Sequence, residues 1–145
     1  MSLVQEDPMD QPASTGPQWI AETVARFPRL FRGLDPFNFE CGEGWQGIVA
    51  GLCERLEALA RPQLKIVQIK EKFGDLRVYV EGGDEAAFAL IREAGAASST
   101  VCERCGAPGT KTSDGWILTL CPACQAKRAL ERKARTTPAP RSPHA

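Results

Sequence analysis

The chain has 145 residues, 43% of them apolar and 25% charged, with Lys plus Arg and Asp plus Glu balanced at 18 each. That suits one compact soluble domain with a small appended module, and no apolar run approaches the ~18 residues a spanning helix needs, which predicts no membrane partner. The opening stretch, MSLVQEDPMDQPASTGPQ, is acidic and lacks the hydrophobic region of a secretory signal, so a reducing, cytoplasmic setting is expected.

The charges are unevenly placed. Residues 1–60 hold four basic and nine acidic side chains, residues 61–101 six and six, and residues 102–135 seven and three. This asymmetry raises the question of an anionic partner toward the C-terminal end.

Residues 1–17, with Pro8, Pro12, Gly16 and Pro17, read as a disordered lead, and TTPAPRSPHA over 136–145 reads as a disordered tail. Residues 18–100 read as an α+β body, and 101–135 as a separate four-cysteine module. The body begins with a short helix over Gln18–Phe27, where Trp19, Ile20, Val24 and Phe27 fall at helical spacing. FPRLFRGLDPFNFE is too rich in breakers for one element and reads as loop, with a turn at Asp35-Pro36. A second helix is predicted from about Gly44 to Ala60. Trp45, Ile48, Val49, Leu52, Leu56 and Leu59 form its stripe, and Pro62 stops it.

The period then changes to two. Leu64–Lys72 and Leu76–Glu81 read as the arms of a β-hairpin, joined near Phe73-Gly74-Asp75. One face carries Val67, Ile69, Leu76, Val78 and Val80, and the other Gln68, Lys70, Lys72, Arg77 and Tyr79. Asp84 is placed to cap a third helix, Glu85 to about Ser98, with Phe88, Ile91 and Ala94 as packing positions. A two-stranded hairpin needs a cover for its apolar face, and the helices flanking it are the expected cover.

Cys102 and Cys105 form one C-x-x-C pair and Cys121 and Cys124 another, fifteen residues apart. This is the spacing of a structural Zn2+ site: zinc takes four tetrahedral ligands, and a two-residue gap lets two sulfurs reach one ion from a tight turn. Gly106 supplies the positive φ that such a knuckle needs. APGTKTSDG and WILTL predict a hairpin between the pairs, and QAKRALERKAR predicts a helix after the second. Knuckle, hairpin and helix in that order resemble a treble-clef finger. A zinc ribbon, with a second knuckle, is the competing layout, and a redox or disulfide role is the competing chemistry.

The two remaining thiols are separate. Cys53 lies beside the second helix's stripe and reads as a core thiol. Cys41 lacks the histidine base that a cysteine nucleophile needs, because His144, in the tail, is the one histidine in the chain. The same absence argues against histidine-dependent nucleases and H-x-E zinc deaminases. No Walker A loop or GxGxxG occurs. Glu40, Glu43, Glu71 and Asp75 read as solvated surface. A site closed by four cysteines leaves no position for a reactive water, so it is structural. No catalytic residue and no small-molecule substrate are expected.

Two surfaces are candidates for binding. In the last helix Ala126, Leu130 and Ala134 form a narrow apolar stripe, while Lys127, Arg128, Arg132, Lys133 and Arg135 cover the rest. This could contact phosphates, or it could be a solvated helix docked by its Leu/Ala stripe, with Glu131 pairing Arg135. The outer hairpin face, Lys70, Lys72, Arg77 and Tyr79, has the basic and aromatic mixture of single-strand-binding sheets, and also the look of any half-exposed hairpin.

Gly44-Trp45, then Glu71-Lys72-Phe73-Gly74-Asp75-Leu76-Arg77, then Cys102-x-x-Cys105-Gly106, Trp116 and Leu120-Cys121-x-x-Cys124 together resemble a family of small uncharacterised proteins of bacterial and phage or prophage genomes. Their pattern is a GW helix, a KEKFGxLR hairpin and a four-cysteine finger. The resemblance implies a zinc-binding protein of mobile-element type and brings no established activity with it. The sequence thus predicts a non-enzymatic, zinc-stabilised binding protein, with nucleic acid held by the basic final helix. The alternative is a phage-type module that modulates a host protein through the aromatic segment containing Phe27, Phe31, Phe37 and Phe39.

Overall fold

A computed structural model describes residues 17–113 and 115–136. Four helices are described: α1 (Gln18–Arg26), α2 (Gln46–Ala58), α3 (Glu85–Ser98) and α4 (Pro122–Thr136). They accompany a three-stranded sheet, β1 (Phe39–Glu40), β2 (Lys65–Lys72) and β3 (Asp75–Glu81), and a two-stranded one, β4 (Thr110–Lys111) and β5 (Thr119–Leu120). The lead and tail expected to be disordered lie outside the described residues, apart from Pro17 before α1 and Thr136 at the end of α4. Among the described residues no helix is long and apolar enough to cross a membrane.

The body is α+β, and its sheet has three strands where two are expected from the sequence. β1 pairs with β2 in parallel, Phe39 opposite Ile69 and Glu40 opposite Lys70. Parallel neighbours need a long crossover, and α2 provides it. β1 comes from the stretch that reads as loop, because two residues carry no detectable period. Phe39 is held by aromatic contacts, edge-on to Trp19 at 5.5 Å and stacked on Phe31 at 5.6 Å. The Ile66 N–H donates to the Leu30 carbonyl at 2.6 Å, tying the same stretch to β2.

Buried Trp45, Val49, Leu52, Cys53 and Leu56 line one side of α2, as their spacing demands. A bulge between Ile66 and Gln68 resets the phase of β2. Ile66 and Ile69 therefore face the core, and Val67, expected beside Ile69, is only half-buried. The register of Gln68 with Tyr79, Lys70 with Arg77 and Lys72 with Asp75 leaves these six side chains on the outer face. Phe88, expected to pack, is exposed; Ala87, Ala94 and Ser98 are the buried residues of α3. The reason is close approach. A Cβ on Gly95 would lie 3.2 Å from the Leu76 carbonyl oxygen, and the Ser98 hydroxyl accepts from the Leu76 N–H at 2.9 Å. At Gly95 and Ser98 only small side chains fit against β3, while Ile91, expected to pack, is partly buried against the core. Asp84 caps the helix as its sequence position implies, accepting from the Ala87 N–H at 3.1 Å.

Candidate metal centre

The finger is built from one knuckle, one short hairpin and one helix N-terminus. Cys102, Glu103, Arg104 and Cys105 form the knuckle, closed by Gly106 donating to the Cys102 carbonyl at 2.9 Å. Gly106 has φ +86, in the left-handed region that a side chain resists. β4 and β5 pair with Thr110 opposite Leu120, and β5 delivers Cys121 to the start of α4. Cys124 lies in the first turn of that helix, its N–H donating to Cys121 Sγ at 3.3 Å. Pro122 opens α4, where a missing N–H costs nothing.

The four sulfurs of Cys102, Cys105, Cys121 and Cys124 all lie within 4.8 Å of one another, and Cys105 Sγ and Cys121 Sγ are 3.5 Å apart. A tetrahedron of sulfurs around an ion at ~2.3 Å has edges of about 3.8 Å, so the set has the dimensions of a metal cage. All six cysteines are free thiols. Burial raises the Cys102 thiol, but backbone N–H groups of Cys121, Cys105 and Arg104 outweigh it and hold the group down to about 6. Cys124 is pushed up to about 12 by desolvation and by its three sulfur neighbours. One thiolate is welcome here, and further negative sulfurs need a cation between them.

Glu103, which carries no signal in the sequence beyond lying between ligands, joins the finger to the body. Its carbonyl accepts from the Gly44 N–H at 2.7 Å and its Oε2 from the Gly42 N–H at 3.0 Å. Burial, with Glu71 and Cys102 nearby, pushes its carboxyl up to about 7 against the Gly42 hydrogen bond. Trp45 Nε1 donates to the Val101 carbonyl at 2.8 Å, and the Thr119 hydroxyl to the Gly74 carbonyl at 2.6 Å. Gly44-Trp45, the KEKFGDLR turn and the first cysteine pair therefore meet along one seam.

The helix α4 docks differently from its hydropathy. Leu130, expected in the docking stripe, is exposed, and Arg128 is buried, its Nη2 donating to the Trp116 carbonyl at 2.8 Å. A guanidinium satisfies a backbone acceptor that leucine cannot. Glu131, expected to pair Arg135, bridges to Arg104 at 3.2 Å. Arg132 is half-buried near Gly115, and Lys127, Lys133 and Arg135 are exposed. On the outer sheet face Arg77 and Tyr79 are exposed, Lys72 is exposed, and Lys70 is half-buried with its ammonium 5.8 Å from the Tyr79 ring.

Cys53 is fully buried and Cys41 half-buried. Burial pushes both thiols up to about 12, helped by Glu103 at Cys41 and Glu57 at Cys53. Thiolate is the reactive form. Iodoacetamide at about pH 8 is therefore expected to label both slowly in the folded chain and fully after denaturation, as read by mass spectrometry; rapid native labelling of Cys41 would reverse that assignment. No family model, no curated protein and no solved structure matches the chain.

Proposed function

We propose that this chain is a non-enzymatic, zinc-stabilised nucleic-acid-binding protein, and that the outer face of its sheet is the leading contact surface. The four-thiol cage is the support for zinc: all-sulfur, tetrahedral in size and fed from a knuckle and a helix N-terminus, the order of a treble-clef finger. Cys124 in the first turn of α4, rather than on a second knuckle, favours that order over a ribbon. With four protein ligands, the ion's part is to hold the finger against the body.

The observation that carries the binding surface is the cross-strand pair Lys70 and Arg77. Like charges directly opposite destabilise a sheet, and a phosphate between them relieves the repulsion. Glu40 and Asp75 stand at the edges of this pair; Asp75 is engaged by Lys111 at 2.6 Å and lies 4.0 Å from Arg77, the outer limit of an ion pair. Glu81, on the same face, is paired by Lys65 at 3.6 Å, so Lys65, Lys70, Lys72, Arg77 and Lys111 outnumber Glu40, Asp75 and Glu81. α4 adds Lys127, Lys133 and Arg135, whereas Arg128 turns inward. The aromatic segment favoured for a protein partner offers less, because Phe27, Phe31 and Phe39 are buried and Phe37 alone of the four is exposed.

Salt titration of binding to random single- and double-stranded oligonucleotides tests this. Affinity is expected to fall steeply with salt, and Lys70→Ala with Arg77→Ala to flatten the slope by about 0.7 per lost phosphate contact on a single strand. Arg128→Ala is expected to lower finger stability and leave that slope unchanged. No binding at low salt to either oligonucleotide would remove the nucleic-acid reading.

A further inference from the structure

We infer that the tips of the two hairpins are base-stacking platforms for single-stranded nucleic acid, with Phe73 and Trp116 as the stacking rings. The inference rests on the nucleic-acid reading above and specifies its substrate class. Phe73 and Gly74 are the two central residues of the β2–β3 turn, closed by Lys72 opposite Asp75, with φ +55 and +83. Positive φ at both positions is the mark of a tight hairpin turn that suits Asn-Gly or Asp-Gly. A bulky side chain there is strained. The strain gains no packing, since Phe73 is 61% exposed, with the Lys72 ammonium 5.7 Å from its ring. Neither backbone preference nor the core accounts for a phenylalanine at this turn.

Trp116 is the exposed ring of the second hairpin. It is 73% exposed, whereas Trp19 and Trp45 are buried. Its carbonyl is pinned by Arg128 and by the Thr112 hydroxyl at 3.2 Å, so its backbone is fixed while its ring faces solvent. The β2–β3 turn is tied to β5, three residues after Trp116, by the Thr119 bond to the Gly74 carbonyl. The exposed rings offer π-faces to bases, and Lys72, Lys111 and Arg77 around the Phe73 turn offer cations to the phosphates. Paired bases in a duplex hide their faces, which selects the single strand.

The test uses the full-length, zinc-loaded chain and a labelled oligothymidylate of about twelve nucleotides, with a duplex of equal length as comparison. Anisotropy reads binding and tryptophan emission reads stacking, since Trp116 is the solvent-facing indole. The expected result is quenching by the single strand and not by the duplex, abolished in Trp116→Leu, with affinity about tenfold weaker. Phe73→Asn is expected to raise the thermal midpoint while weakening single-strand binding to a similar degree, a combination that a merely structural residue does not give. Binding with unquenched emission and unchanged affinity in both variants overturns the stacking platforms and leaves the nucleic-acid reading in place. Absence of any binding at low salt overturns both and assigns the exposed rings to a protein partner.

Discussion

Stripping zinc from the loaded chain with a chelator is expected to melt residues 101–136 and to loosen the hairpin end of the body with them. The finger has almost no core of its own: Cys102, Leu120 and Cys121 are its buried apolar residues, with Ala107, Leu118 and Cys124 packed against them. Its two strands have two residues each. So small an assembly does not fold on hydrophobic burial alone, while a structural zinc ion supplies ~10–16 kcal/mol of apparent folding free energy in such modules. Loss of the ion removes the restraint on Glu103 and Thr119, and with it their hydrogen bonds to Gly42, Gly44 and Gly74. Cys102→Ser is expected to reproduce the effect. Far-UV circular dichroism, limited proteolysis and metal content read it together. Metal-free protein with unchanged ellipticity and protease resistance would remove the ion's structural role.

Gly44→Ala is expected to cost about 3 kcal/mol or more, the upper end of overpacking in a rigid site. A Cβ at Gly44 would lie 2.1 Å from the Cys102 carbonyl oxygen, and one at Gly42 2.4 Å from the Glu103 oxygen. These are backbone atoms in a knuckle held by its own hydrogen bonds, so relief requires the finger to move off the body and to break the Gly44–Glu103 bond. The contrast is with Gly47 and Gly51 on α2, where an added Cβ meets nothing within 4 Å. Alanine at either is expected to stabilise by about 0.5–1 kcal/mol through helix propensity alone. Calorimetric midpoints separate the two pairs. Equal shifts at Gly44 and Gly47 would show that the seam is not rigid.

Much of this architecture is written locally. The stripe of α2, the Asp84 cap, both arms of the β2–β3 hairpin and the four thiols follow from periods and spacings within a few residues. What is not legible depends on distant partners. β1 exists because Phe39 finds Trp19, Phe31 and β2, and nothing in a two-residue strand announces this. The bulge at Val67 moves one isoleucine inward without any glycine to mark it. Phe88 is exposed although its spacing suits packing, and the close approach of α3 to β3 at Gly95 and Ser98 is a distance no hydropathy pattern encodes. The orientation of α4 depends on distant partners too, the Trp116 carbonyl that takes Arg128 and the Arg104 side chain that takes Glu131, while Leu130 stays exposed. At the candidate metal centre the four thiols are legible and their anchor is not: Glu103 works through its backbone as much as its carboxylate.

The seam joins residues far apart in the chain, with hydrogen bonds spanning 61 positions from Gly42 to Glu103 and 56 from Trp45 to Val101. At synthesis rates of about 5–20 residues per second, the Gly42–Trp45 turn is made roughly 3–12 seconds before its partners exist. During that interval the Trp45 indole has no Val101 carbonyl to meet, and the body stays open along one side. The second cysteine pair follows later still, so on the zinc reading the seam closes last, once Cys121 and Cys124 have emerged.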